Sequence, residues 1–122
     1  MRPLFWIASS HKDLDRLPDR VQNSFGFALY LAQCGEKAEV AKPLKGFGGA
    51  GVLEVVAHHD GDTFRAVYIV RFTEAVYVLH CFQKKSKTRA TTPKQEIDLV
   101  RSRLKIAEEE YKQWQERKKR PS

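Results

Sequence analysis

Apolar and polar positions along this chain follow two rhythms. Leu4, Phe5, Trp6 and Ile7 open with a continuous apolar run suited to a sheet strand. Ser10 with Asp13 three residues on resembles a capping box for a short helical segment holding Leu14 and Leu17, and Pro18 ends it. From 18 to 34, Val21, Phe25, Ala28, Leu29 and Ala32 recur at steps of three and four, an amphipathic helix with Gly35 as its C-terminal cap. That spacing leaves Tyr30 off the apolar face. Residues 41–51 are rich in Gly and Pro and read as a loop. Three runs of β-branched and aromatic residues follow, 52–58, 63–72 and 75–83, divided by Asp60-Gly61, a strong hairpin turn, and by the weaker Thr73-Glu74. From 93 to about 117, Ile97, Val100, Leu104, Ala107, Tyr111 and Trp114 form the stripe of a long helix. Thr92 suits its cap, Pro93 its first turn and Glu96, approximately, a capping box.

The pattern predicts one α+β domain over residues 1–122. Its small antiparallel sheet, an N-terminal strand plus a three-stranded meander, packs with the N-terminal helices and a long C-terminal helix. From about 117 the chain is expected to fray as a basic tail.

Side chains alternate across a strand, so turn lengths decide which residues share a face. Two-residue turns at both hairpins pair Val67 with His80, Arg65 with Phe82, Ile69 with Val78 and Glu54 with Val67. One face then collects Glu54, Arg65, Arg71, His80, Phe82 and Lys84. The other holds Val55, Phe64, Ala66, Tyr68, Val70, Tyr77 and Leu79, the expected core face against the N-terminal helices.

Composition sharpens the picture. The chain has 122 residues, enough for a core without staples, and no apolar run of the roughly 18 residues needed to span a bilayer. The N-terminal apolar run is too short for a signal peptide, and a cytoplasmic location is expected. Cys34 and Cys81 lack metal-ligand spacing and are expected to be reduced, packed thiols. The net charge is +7, and eight basic residues against two acidic ones lie between Lys84 and Lys105. Such a segment suits either a solvated surface or a polyanion site. The glycines of 41–51 make no nucleotide cradle, because Gly-Lys-Ser/Thr is missing and a strand, not a helix, follows.

A histidine within an apolar strand that runs into a lysine cluster points to phosphate chemistry. RNA carries its own nucleophile, the 2′-hydroxyl; cleavage needs a base, an acid and cations for the transition state. His80 is the candidate acid or base, since imidazole titrates near neutrality. Arg65, Lys84 and Lys85 are the candidate charge stabilisers. Phe82 and Tyr68 are candidates to stack a base. Arg71, Lys87 and Arg89, with Lys42 and Lys45 from the loop, complete the candidate RNA contacts. No cofactor or metal is expected. Each residue also has a plainer reading: His80 as a hydrogen-bonded core residue, Arg65 as the cross-strand partner of Glu54, Phe82 as core.

The string Leu79-His80-Cys81-Phe82-Gln83-Lys84-Lys85-Ser86, followed by Thr92-Pro93 and a helix with Ile97 and Arg103, resembles the phage-derived, HigB-like branch of the RelE/ParE toxin superfamily. Lys42-Pro43-Leu44-Lys45-Gly46, Leu53-Glu54-Val55 and Arg65-Ala66-Val67-Tyr68 resemble it too, so the likeness runs to about Tyr111. The resemblance implies the toxin of a type II toxin–antitoxin pair, cytoplasmic, partnered by a helix-turn-helix antitoxin. It implies metal-independent cleavage of mRNA on the ribosome through Arg65, His80, Lys84 and Lys85. ParE-type relatives inhibit DNA gyrase on the same fold, so that activity stands as an alternative, as does nucleic-acid binding without catalysis. Codon preference and oligomeric state are not specified.

Overall fold

The computed structural model describes residues 1–84 and 92–119. In chain order its elements are β1 (Leu4–Trp6), α1 (Ser10–Asp15), α2 (Asp19–Gln33), β2 (Lys42–Pro43), β3 (Val52–His59), β4 (Asp62–Ile69), β5 (Val76–Lys84) and α3 (Lys94–Lys119). They form a five-stranded sheet of order β1-β5-β4-β3-β2 with helices on both faces, the α+β architecture that the apolar rhythms predict. Two details differ. β1 runs parallel to β5, pairing Leu4 with Val76 and Trp6 with Val78, so the sheet is mixed. Within the Gly/Pro-rich loop, Lys42 and Pro43 add a short edge strand, with Lys42 directly opposite Glu54.

The Asp60-Gly61 turn has the geometry its sequence demands. Both residues have positive φ, +50° and +82°, the combination of a tight type I′ turn. It pairs Val56 with Arg65 and Glu54 with Val67, as expected. The β4–β5 connection departs from expectation. Ile69 pairs with Tyr77, not Val78, so the connection is one residue tighter than a two-residue Thr73-Glu74 turn. A β-bulge then puts the residue back: Tyr68 pairs with Val78 and Val67 with His80, leaving Leu79 without a partner on β4.

The bulge switches the parity of β5. Ahead of it, Val76 and Val78 face α1 and α2 while Tyr77 and Leu79 face α3. Beyond it, Cys81 faces α1 and α2 while Phe82 faces α3. Tyr77 and Leu79 therefore lie on the opposite face from the one assigned by simple alternation. Phe64, Ala66, Tyr68 and Val55 do pack against α2, whose Val21, Phe25, Ala28, Leu29 and Ala32 form the buried stripe. Burying a side chain such as Phe25 contributes roughly 1.5–3 kcal/mol.

α3 supplies the other layer. Val100, Leu104 and Ala107 are buried against Val67, Ile69, Tyr77 and Leu79, with Ile97, Tyr111 and Trp114 flanking them. The helix continues to Lys119, with Lys118 Nζ 2.6 Å from Glu74, so the tail expected to fray from 117 is still helical there. α1 starts at Ser10 and not after it; Ser9 is the cap residue, and its hydroxyl meets the Asp13 carboxylate at 2.7 Å. Cys34 and Cys81 are both free thiols, but Cys34 is exposed, not packed. Burial pushes the Cys81 thiol up to about 12.

Candidate functional site

The sheet face that the sequence read as open is roofed by the first three turns of α3. His80 is 6% exposed. Its ring stacks on Phe82 at 4.5 Å, and each ring nitrogen has a neighbour on α3: Nε2 meets Glu96 Oε2, and Nδ1 lies 3.3 Å from Arg103 Nη1. Guanidinium groups only donate, so Nδ1 is the acceptor and the ring proton sits on Nε2, directed at Glu96. Burial holds the His80 pKa below the usual 6.5; Glu96 works against that shift and Arg103 with it. The imidazole is therefore mainly neutral at pH 7.

Arg103 links three elements at this point. Nη1 donates to the Leu79 carbonyl at 2.9 Å and Nη2 to Ser9 Oγ at 3.1 Å. Leu79 is the bulged residue, so the cation meets backbone at the irregular point of the ladder. Neighbouring Val78 O accepts from Ser10 Oγ at 3.2 Å and from Ile7 N at 3.0 Å. Local irregularity in β5 is thus matched by polar groups from α1, α3 and the end of β1.

Arg65 occupies the same face farther along the hairpin, opposite Phe82. It is nearly buried and bonds Glu54 across the β3–β4 pair at 2.5 Å. Thr92 joins them, donating its hydroxyl to the other oxygen of Glu54. Glu96, in the first turn of α3, serves His80. Lys84 ends β5 on this face and is also buried; burial lowers its pKa, as does Arg65, while Glu54 opposes the shift.

Beside this pair opens a cleft of about 340 Å³. Glu54, Arg65 and Thr92 line its inner part, and Lys42 and Lys45, both exposed, stand at its lip. Pro43, Leu44 and Ile97 give it apolar walls.

The expected site residues divide accordingly. Arg65, His80, Lys84 and Phe82 share the α3 face, but all four are buried and not exposed as expected; of these, Arg65 lines the cleft. Phe82 is committed to His80 and the α3 core, leaving no free ring face exposed for a base. Tyr68 lies on the opposite face, 1% exposed within the α2 core, so it cannot stack RNA from there; burial pushes its phenol up to about 12. Arg71 is exposed and away from the cleft, paired with Glu108 at 2.7 Å and set over the Phe72 ring. Lys42 and Lys45 are exposed candidates at the mouth of the same cavity. Lys85, Lys87 and Arg89 fall outside the described residues.

Glu54 is the cross-strand partner of Arg65 that the plainer reading expected; Thr92 and Glu96, expected only at the start of α3, and Arg103, given no role, were not expected to take part. A signal existed for two of them: Glu96 and Arg103 fall at helical spacing with Val100 and Ala107, polar residues set into an apolar stripe. Among the described residues no helix is long and apolar enough to cross a membrane.

Comparison with curated proteins gives no match. A family model does match, over residues 12–105, from within α1 through the first half of α3, and so contains the cleft and His80 with its α3 partners Glu96 and Arg103. On that extent of agreement the chain belongs to the phage-derived Gp49-like family (DUF891), a family associated with RelE-like toxins of toxin–antitoxin pairs.

Proposed function

We propose that this chain is the toxin of a type II toxin–antitoxin pair, of the HigB-like branch, and that it cuts mRNA on the ribosome without a metal. Family membership supports the toxin role. The observation that carries the nuclease reading is the convergence of Arg65, Lys84 and His80 on one sheet face, next to a cleft lipped by Lys42 and Lys45.

In this reading the 2′-oxygen attacks phosphorus and the bond to the 5′-oxygen breaks. His80 is the proton carrier, with Glu96 as its hydrogen-bonded partner. Arg65 and Lys84, joined by Lys85, offset the charge gathered on the phosphate, and Lys42 and Lys45 hold the adjoining backbone. The protein acts in the cytoplasm and is silenced by a helix-turn-helix antitoxin.

One observation favours a second reading, a non-catalytic toxin of the gyrase-inhibiting kind. Both ring nitrogens of His80 are occupied and the ring is sealed under α3.

Induced expression followed by primer extension on mRNA separates the two. The nuclease reading expects codon-phased 5′ ends that disappear in Arg65→Lys and His80→Gln and weaken in Lys42→Ala/Lys45→Ala, each variant being checked for fold by circular dichroism. Intact messages with accumulating double-strand DNA breaks would establish the second reading. Rescue of growth by a short helix-turn-helix product of the adjacent reading frame would identify the antitoxin.

A further inference from the structure

The cleft beside Glu54 has a charge pattern that a simple anion does not match. Its lip is cationic, through Lys42 and Lys45, but its inner end holds the Glu54 carboxylate ion-paired to Arg65. Glu54 is largely buried there, its side chain 12% exposed, and each of its oxygens already accepts one hydrogen bond, from Arg65 and from Thr92. A carboxylate has about four acceptor positions, so roughly two remain. Whatever reaches the inner end must bring donors, while whatever stays at the lip must bring negative charge. Between these, Pro43, Leu44 and Ile97 offer apolar surface suited to a flat ring.

A nucleotide satisfies all three conditions, with its base inward and its phosphate at the lysines. The bases differ in what they offer a carboxylate. Guanine presents two adjacent donors, N1–H and the N2 amino group, in the spacing that two carboxylate oxygens accept, and its O6 acceptor lies alongside for a guanidinium. Adenine and cytosine each present one amino donor beside an acceptor, and uracil one imide N–H between two acceptors. Acceptors set against Glu54 would be repelled. A volume of about 340 Å³ is of the size that takes one small ligand.

We propose that this cleft is a single-nucleotide pocket selective for guanine, with Glu54 reading the base edge, Arg65 the O6 side, and Lys42 and Lys45 the phosphate. The proposal rests on the reading of this protein as one that acts on RNA, and adds the base it reads.

The test titrates the full chain with GMP, AMP, CMP, UMP, guanosine and inorganic phosphate, following backbone amide shifts by NMR. GMP should bind roughly tenfold or more tightly than the other three nucleotides, and shift the amides of Lys42, Lys45, Glu54 and Arg65. Guanosine should bind more weakly at the same amides. Lys42→Ala/Lys45→Ala, at exposed positions, should weaken all four nucleotides alike without changing their order; Glu54→Gln should erase the preference for guanine. Equal affinity for all four nucleotides, with phosphate shifting the same amides, would overturn the proposal in favour of an unselective anion site. So would guanine-dependent shifts elsewhere on the chain. Primer extension on mRNA keeps the two ideas apart. Guanine-selective binding with uncut messages retains the pocket and removes the nuclease. Cut messages with no base preference in the titration do the reverse.

Discussion

Arg103 on α3 donates to the Nδ1 atom of His80 on β5 at 3.3 Å, and in doing so fixes which tautomer the imidazole adopts. The same guanidinium satisfies the Leu79 carbonyl and Ser9 Oγ. A hydrophobic replacement of similar length keeps the packing but strands two buried acceptors, Leu79 O and His80 Nδ1, and leaves the exposed Ser9 Oγ to water. Arg103→Met should therefore destabilise the fold by about 3 kcal/mol, measured by urea unfolding. Arg103→Lys should recover only part of this, because one ammonium does not span acceptors on β5 and at the cap of α1. A loss under about 0.5 kcal/mol for the Met variant would mean that these bonds contribute nothing net.

The buried imidazole also gives stability a pH dependence of definite sign. Burial lowers the His80 pKa in the folded chain, whereas the unfolded chain takes up the proton near 6.5. Below that pH the unfolded state binds more protons, so the free energy of unfolding should fall as pH drops from about 6.5 toward 5 and should level off above it. Urea melts across this window should show the slope in the native chain and a shallower one in His80→Gln. Equal slopes in the two, or a rise in stability on acidification, would show that His80 is not held neutral.

Much of the architecture was legible because period reports type. The steps of three and four in Val21 to Ala32 and in Ile97 to Trp114 gave both long helices, and Asp60-Gly61 gave the hairpin with its register. An apolar stripe says that α3 packs, but not on which sheet face. Hence Arg65 and His80 were rightly placed on one face and wrongly left open. The bulge at Leu79 has no local mark, since Val76 to Phe82 reads as an unbroken strand; it follows from the tight β4–β5 connection and the polar partners waiting for its carbonyl. β2 was lost because two residues carry no period, although that strand sets Lys42 opposite Glu54 at the cleft.

Gly51 leads into β3 with φ of +71°, and its carbonyl accepts from Val70 N at 3.0 Å. A Cβ there would lie 2.8 Å from Arg71 Cβ and 3.0 Å from Arg71 backbone atoms. Backbone cannot yield as a flexible side chain does, so conformational strain and collision add together. Gly51→Ala should cost about 3 kcal/mol in thermal or urea unfolding. Gly48→Ala is the control: its φ is +54°, but a Cβ meets nothing within 4 Å, and the cost should be about 1 kcal/mol.

Tyr68 separates a packing role from a nucleic-acid role. Its hydroxyl is buried without a hydrogen-bond partner among the described residues, in the core between β4 and α2. Removing that oxygen deletes a buried polar atom while the ring goes on filling the same space. Tyr68→Phe should accordingly raise stability by about 1 kcal/mol in urea unfolding. It should leave growth inhibition unchanged, since the ring is 1% exposed and on the face away from the cleft. If Tyr68→Phe instead lost activity at undiminished stability, the hydroxyl would have a partner in the functional complex, and the α2 face, not the cleft lipped by Lys42 and Lys45, would be where that complex forms.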